Sequence, residues 1–161
     1  MDTEESASQE ILKGATNEKT REHIANVTRF IHIIVVELLK RAEKHDASKL
    51  LSPEVETFVE CTPKLRNLEY GSDEYKRTLE EMAPALEHHY AKNRHHPEHF
   101  PDGMSGMNLI DLVELFCDWK AASARHSTGN LKKSVEINAD RFKMSPQLKS
   151  IFENTIDLLE T

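Results

Sequence analysis

The sequence predicts an all-α protein of about five to six helices, and three observations predict it. Apolar residues recur at three- and four-residue steps along most of the chain, Ser-Pro, Asn and Gly punctuate the segments between them, and no segment requires a strand. With 161 residues, 38% hydrophobic and 30% charged, the chain has the size of one domain. That length forms a core without a disulfide or a structural metal. Residues 1–16, ending in KGAT, keep no sustained period and read as a mobile tail or a short, poorly anchored helix, and residues 17–161 read as a single helical domain.

The first long helix is expected from Asn17 to about Lys44, with Ile24, Val27, Ile31, Ile34, Leu38 and Ala42 as its buried stripe. Its centre, IHIIVV, is β-branched, but no turn residue flanks it and the helical period continues on both sides. Ser52-Pro53 reads as a cap and first turn for a short helix through Cys61, which Thr62-Pro63 should stop. Gly71-Ser72 opens another helix, buried along Tyr75, Leu79, Met82 and Leu86, and Pro84 should kink or divide it. The segment from Arg94 to Asn108 is rich in Pro and Gly and reads as a loop. Asn108 caps a helix to about Ser127, with Leu109, Leu112, Val113, Phe116 and Trp119 on one side and Asp111, Asp118 and Arg125 on the other. Gly129 ends it. A helix from Asn130 to Phe142 follows, and Ser145-Pro146 starts the last, which carries Leu148, Ile151, Phe152 and Leu159.

Charge narrows the functional classes. There are 21 basic and 28 acidic side chains, a formal charge of −7, so the basic excess that drives binding to duplex nucleic acid is missing. No apolar run approaches the roughly 20 residues of a membrane span, and a cytoplasmic protein is expected. Cys61 and Cys117 stand 56 positions apart without CxxC spacing and read as reduced core residues.

Nine histidines are the anomaly, six of them between His88 and His126. His45-Asp46, at the end of the first helix, offers a neutral nitrogen and an anionic oxygen to one divalent ion. The block HHYAKNRHHPEHF holds five more imidazoles; His89 falls on the buried stripe and is favoured over His88, joined by one of His95, His96 or His99. Asp118, in LFCDWKAAS, is the third element, with Asp111 and Glu114 as rivals; a buried carboxylate there is costly unless it meets a cation. Imidazole with carboxylate suits zinc, iron, manganese or nickel better than calcium.

These residues resemble the HD-domain metal-dependent phosphohydrolases. The resemblance rests on His45-Asp46 with Lys49 three residues on, similar to HDxGK, on the downstream histidines and on Asp118; Ser48 stands where that pattern has Gly. It implies an HD-like helical bundle, a metal held by the HisAsp pair, the late Asp and an earlier His, and a second metal on intervening histidines such as His88, His89, His95 and His96. Residues from His23 to Phe152 also resemble an uncharacterised bacterial and phage family sharing HHYxxNRHHPEHF and DWKAA. His23 is the candidate for the earlier His, yet an unbroken helix would set it roughly 33 Å from His45, so it requires a break, a homodimer or another role.

The resemblance implies hydrolysis of a nucleotide or other small phosphoester, with one or two ions of manganese, iron, nickel, cobalt or zinc. Lys49, Arg94 and Lys120 are the candidate cations for the phosphate. A dinuclear iron oxygenase and a noncatalytic metal- or nucleotide-binding protein are the competing classes.

Overall fold

The computed structural model describes residues 2–68, 72–125 and 129–159. The described residues form six α-helices and no strand: α1 (Asp2–Lys44), α2 (Glu54–Asn67), α3 (Asp73–Lys92), α4 (Leu109–Ser123), α5 (Leu131–Arg141) and α6 (Pro146–Leu159). Short 3-10 turns occupy Ala47–Leu50, Pro97–His99 and Gly103–Gly106. Among the described residues no helix is long and apolar enough to cross a membrane.

The chain divides into two compact units, Met1–Lys40 and Arg41–Thr161. In the first, α1 begins well before the predicted Asn17, so described residues of the expected tail are helical. Thr16 and Thr20 hydroxyls donate to the Leu12 and Thr16 carbonyls one turn back, which is how a polar stretch remains in the helix. The β-branched centre is helical as expected. Its stripe is not buried: Ile24, Val27, Ile31 and Ile34 are all exposed, and only Leu38 is half-covered. Helical periodicity fixes which residues share a face, but among the described residues nothing in this unit buries that face.

The second unit is built on an apolar core shared by three helices. Leu115, Phe116 and Trp119 of α4 pack with Leu131 and Val135 of α5 and Phe152 and Ile156 of α6. Phe116 and Phe152 meet with ring centres 5.0 Å apart, and Trp119 stacks on Phe142 at 6.3 Å. Leu109 (74% exposed) and Val113 drop out of the predicted stripe, as does Ile151 on α6, while Leu115 joins it. The helix ends at Ser123, before the predicted Ser127; residues 126–128, including His126, lie outside the described residues. Cys61 is buried, whereas Cys117 is exposed and leaves the predicted core; both thiols are free.

Proline punctuation is weaker than predicted. Helix α2 runs through Pro63 to Asn67 and α3 runs undivided through Pro84. Each proline removes a backbone donor and crowds the previous turn, at a cost of about 3 kcal/mol, which the packing of α2 against α3 and the burial of Cys61, Met82 and Ala85 offset. Pro53 follows a cis bond and stands at the N-cap of α2 without a side-chain cap. The polar caps behave as expected. Ser72 accepts from Tyr75 N–H, Asn108 and Asp111 form a reciprocal capping box, Asn130 accepts from Lys133 N–H and Ser145 from Leu148 N–H. Gly106 is needed for close approach, since a Cβ there would lie 2.8 Å from Phe100 Cβ.

Candidate metal centre

The centre is assembled on Asp46, just past the end of α1. Asp46 adopts the left-handed conformation, φ 56° and ψ 10°, which terminates the helix where glycine is commoner and which Asp tolerates better than most residues. The chain then enters the 3-10 turn Ala47–Leu50, where Lys49 donates to Asp46 Oδ2 at 2.7 Å. Asp46 Oδ1 lies 3.2 Å from His89 Nε2 and 3.5 Å from His95 Nε2. His96 completes the group, its Nε2 2.9 Å from His89 Nε2.

Both His89 and His95 are only 1% exposed, and their orientation has identifiable causes. Helix α3 persists past Pro84 and carries His88 and His89 in its final turns; His95 and His96 follow at once, before the turn Pro97–His99. Glu54, fully buried at the start of α2, accepts from His89 Nδ1 at 2.9 Å, from His88 Nδ1 at 2.7 Å and from Ser48 Oγ at 3.0 Å. With the His89 proton on Nδ1, its Nε2 lone pair is directed at Asp46 and His96, the carboxylate–imidazole arrangement that orients metal ligands. Asn93 donates to Ser48 Oγ and to the His89 carbonyl, both at 2.8 Å, closing the support.

A second group shares Asp46. His45 Nδ1 donates to Glu114 Oε1 at 2.9 Å, and its Nε2 stands 3.6 Å from both Asp46 Oδ2 and Asp118 Oδ1. Three sets can each hold a cation: Asp46, His89, His95 and His96; His45, His95 and Glu114; and His45, Asp46 and Asp118. The polar inventory around them is incomplete. Asp46 Oδ1 and both ring nitrogens of His95 are buried without a hydrogen-bond partner among the described residues, and Glu114 Oε1, 3.1 Å from His95 Nδ1, is not aligned to supply one. Such groups are costly unless something binds them. Metal–ligand bonds of about 2.1 Å place neighbouring ligands roughly 3.0–3.4 Å apart, and the 2.9, 3.2 and 3.5 Å separations here bracket that range. Three imidazoles with one carboxylate suit zinc or a first-row transition ion.

The electrostatics are those of an anionic pocket. Asp118 and Glu114 beside His45 raise its pKa to about 10 against the opposing effect of burial. Burial would raise Asp46, but the nearby His89 and the Lys49 ammonium hold it far below the usual carboxylate range; His45 and His95 beside Glu114 do the same there. His96 is pushed down to about 3 by burial and then by the neighbouring histidines, so it offers a neutral lone pair. Behind the centre, Asp111 is completely buried and accepts from Arg94 Nε and Nη2 at 3.1 and 2.9 Å and from Arg41 Nη2 at 2.9 Å. Arg41 also donates to Glu114 at 2.7 Å, tying the end of α1 to α4.

Of the residues singled out from sequence, His45, Asp46, His89, His95, His96 and Asp118 come together. His88 is one layer out, held by Glu54, and His99 Nδ1 donates to the Tyr90 carbonyl. His23 is exposed on the first unit and belongs to none of the three groups. Lys49 touches Asp46, Arg94 is engaged by Asp111, and Lys120 has no side-chain hydrogen bond or ion pair among the described residues. Glu114, a rival to Asp118 in the sequence, belongs to the centre beside it. Glu54 and Arg41 were missed: neither has a periodic or motif signal, and only their burial marks them.

Fold and site together define an all-helical protein with clustered His, Asp and Glu side chains that can hold a metal ion. Residues 13–158 match the model of DUF5662, a family of unknown function, and the chain belongs to that family. No curated protein and no solved structure matches it.

Proposed function

We propose that the chain is a metal-dependent hydrolase of a nucleotide or another small phosphoester. The observation that carries the reading is the convergence of Asp46, His89, His95 and His96, with Asp46 Oδ1 and both His95 nitrogens left without hydrogen-bond partners among the described residues. The resemblance of His45-Asp46, Lys49 and Asp118 to the HD-domain pattern supports the phosphoester class. A divalent ion held there supplies Lewis acidity, which makes water nucleophilic near neutral pH and neutralises phosphoryl charge.

The chain's own groups divide the remaining work. Glu54 accepts from His89 Nδ1 and orients that ring, and Glu114 orients His45 in the same way. Lys49, beside Asp46, is placed to meet a phosphate oxygen, and Lys120 is a second ammonium on α4. Arg94 has Nε and Nη2 engaged by Asp111, which leaves Nη1 for an anion. His88 supports Glu54 rather than binding the ion, and His23 has no part in a single chain.

A specific observation favours a second reading, a dinuclear iron oxygenase: Asp46 Oδ1 faces His89 and His95 while Oδ2 faces His45 and Lys49, so the residues on its two sides would hold two ions. Elemental analysis followed by a panel of nucleotides and small phosphoesters with manganese, nickel, cobalt, zinc or iron tests both. Metal-stimulated phosphate release that disappears in Asp46→Ala is the expected result. Background release in every condition overturns the hydrolase, and oxygen consumption by a two-iron form favours the alternative.

A further inference from the structure

The exposed apolar surface of α1 is the largest feature that the candidate metal centre does not use. Between Ile24 and Leu39, nine large apolar residues are each 42–60% exposed. Six of them, Ile24, Val27, Phe30, Ile31, Ile34 and Val35, share one side and open on the order of 600 Å² there, so a pair of copies would bury roughly 1,200 Å², the lower end for a stable interface. α1 has the length to span a membrane but not the apolarity, so spanning does not account for it.

The spacing specifies the occupant. Ile24, Val27, Ile31, Ile34 and Leu38 follow at steps of three, four, three and four, which is the alternation that lets side chains of one helix seat between those of an identical helix. Phe30 and Val35 flank this seam and widen it to the broad face of a helical bundle. A self-complementary patch related by a twofold axis meets itself, so no second species is required. We infer that α1 is a self-association helix whose apolar seam, centred on Ile31 and Ile34, packs against α1 of a second copy of this chain.

Light scattering coupled to gel filtration tests this with full-length protein from about 1 to about 100 µM, since association is a mass-action effect. The expected result is a mass of at least twice the chain, falling to a single chain when Ile31→Glu and Ile34→Glu are combined and unchanged in Leu50→Glu, an exposed apolar control on the second unit. Helical circular dichroism retained in the double variant excludes unfolding as the cause. A wild-type protein of single-chain mass across the series overturns the inference without any variant, as does a multimer that the double variant leaves intact.

Discussion

Helix α4 has two faces of opposite chemistry, and each organises half of the second unit. Leu112, Phe116 and Trp119 turn toward α5 and α6 and lie in or against a core of aliphatic and aromatic contacts. Asp111, Glu114 and Asp118 turn toward the histidines and the arginines, where every buried group needs a specific partner. The apolar face tolerates imprecision, because dispersion and burial depend on area and fit. The acidic face does not, because a carboxylate without its cation in that setting costs several kcal/mol. Both sides of α4 are expected to carry stability, and ligand chemistry is expected on the acidic side alone.

The largest expected effect lies on the acidic side. Asp46→Ala should remove bound metal, abolish metal-stimulated turnover and cancel the rise in melting temperature that added metal produces in the wild type, measurable by elemental analysis and thermal scans. Retention of metal by that variant would break the proposed division of labour. Asp111→Ala should cost about 3–5 kcal/mol in chelator-treated protein, read by urea unfolding, since it strands Arg41 and Arg94.

The same carboxylate supplies a pH test. Burial would raise Asp111, but Arg94, the Asn108 amide and Arg41 hold its folded pKa below the ordinary value. Its contribution is therefore fully present above about pH 4 and is lost as pH falls through the depressed folded value, and Asp111→Asn should lack that component of acid destabilisation.

Phe152→Ala sharpens the comparison from the apolar side. It should cost about 3–5 kcal/mol by leaving a cavity under Phe116 and Trp119, while metal content measured well below the melting temperature stays that of the wild type. Glu54→Gln should act in the opposite sense, weakening metal affinity by about 10- to 100-fold, read by competition with a chelating dye, with a smaller loss of stability. Val113→Ser, on an exposed position of α4, should change stability by less than about 0.5 kcal/mol in the same unfolding assay.

Much of the architecture was legible. Ser72, Asn108, Asn130 and Ser145 announce helix starts because a short polar side chain satisfies backbone N–H groups locally, and that requirement does not depend on the rest of the fold. Pro63 did not stop α2 and Pro84 did not divide α3, because tertiary packing outweighs a single missing donor. His45-Asp46 and His88 to His96 were visible as an excess of ligand-type side chains. Glu54 was not, because its partner His89 is 35 positions away and nothing near Glu54 in the chain registers that contact.

By itself the sequence determined an all-helical chain, the caps at Ser72, Asn108, Asn130 and Ser145 and the residue types available for metal chemistry, all of which follow from interactions spanning a turn or two. Tertiary structure alone decided that Asp46 faces His89 and His95, that Glu54 and Glu114 meet the Nδ1 atoms of His89 and His45, and that Asp111 belongs to two arginines. Those choices depend on distances between groups far apart in the chain, and at such separations neither periodicity nor propensity carries information about which side chains meet.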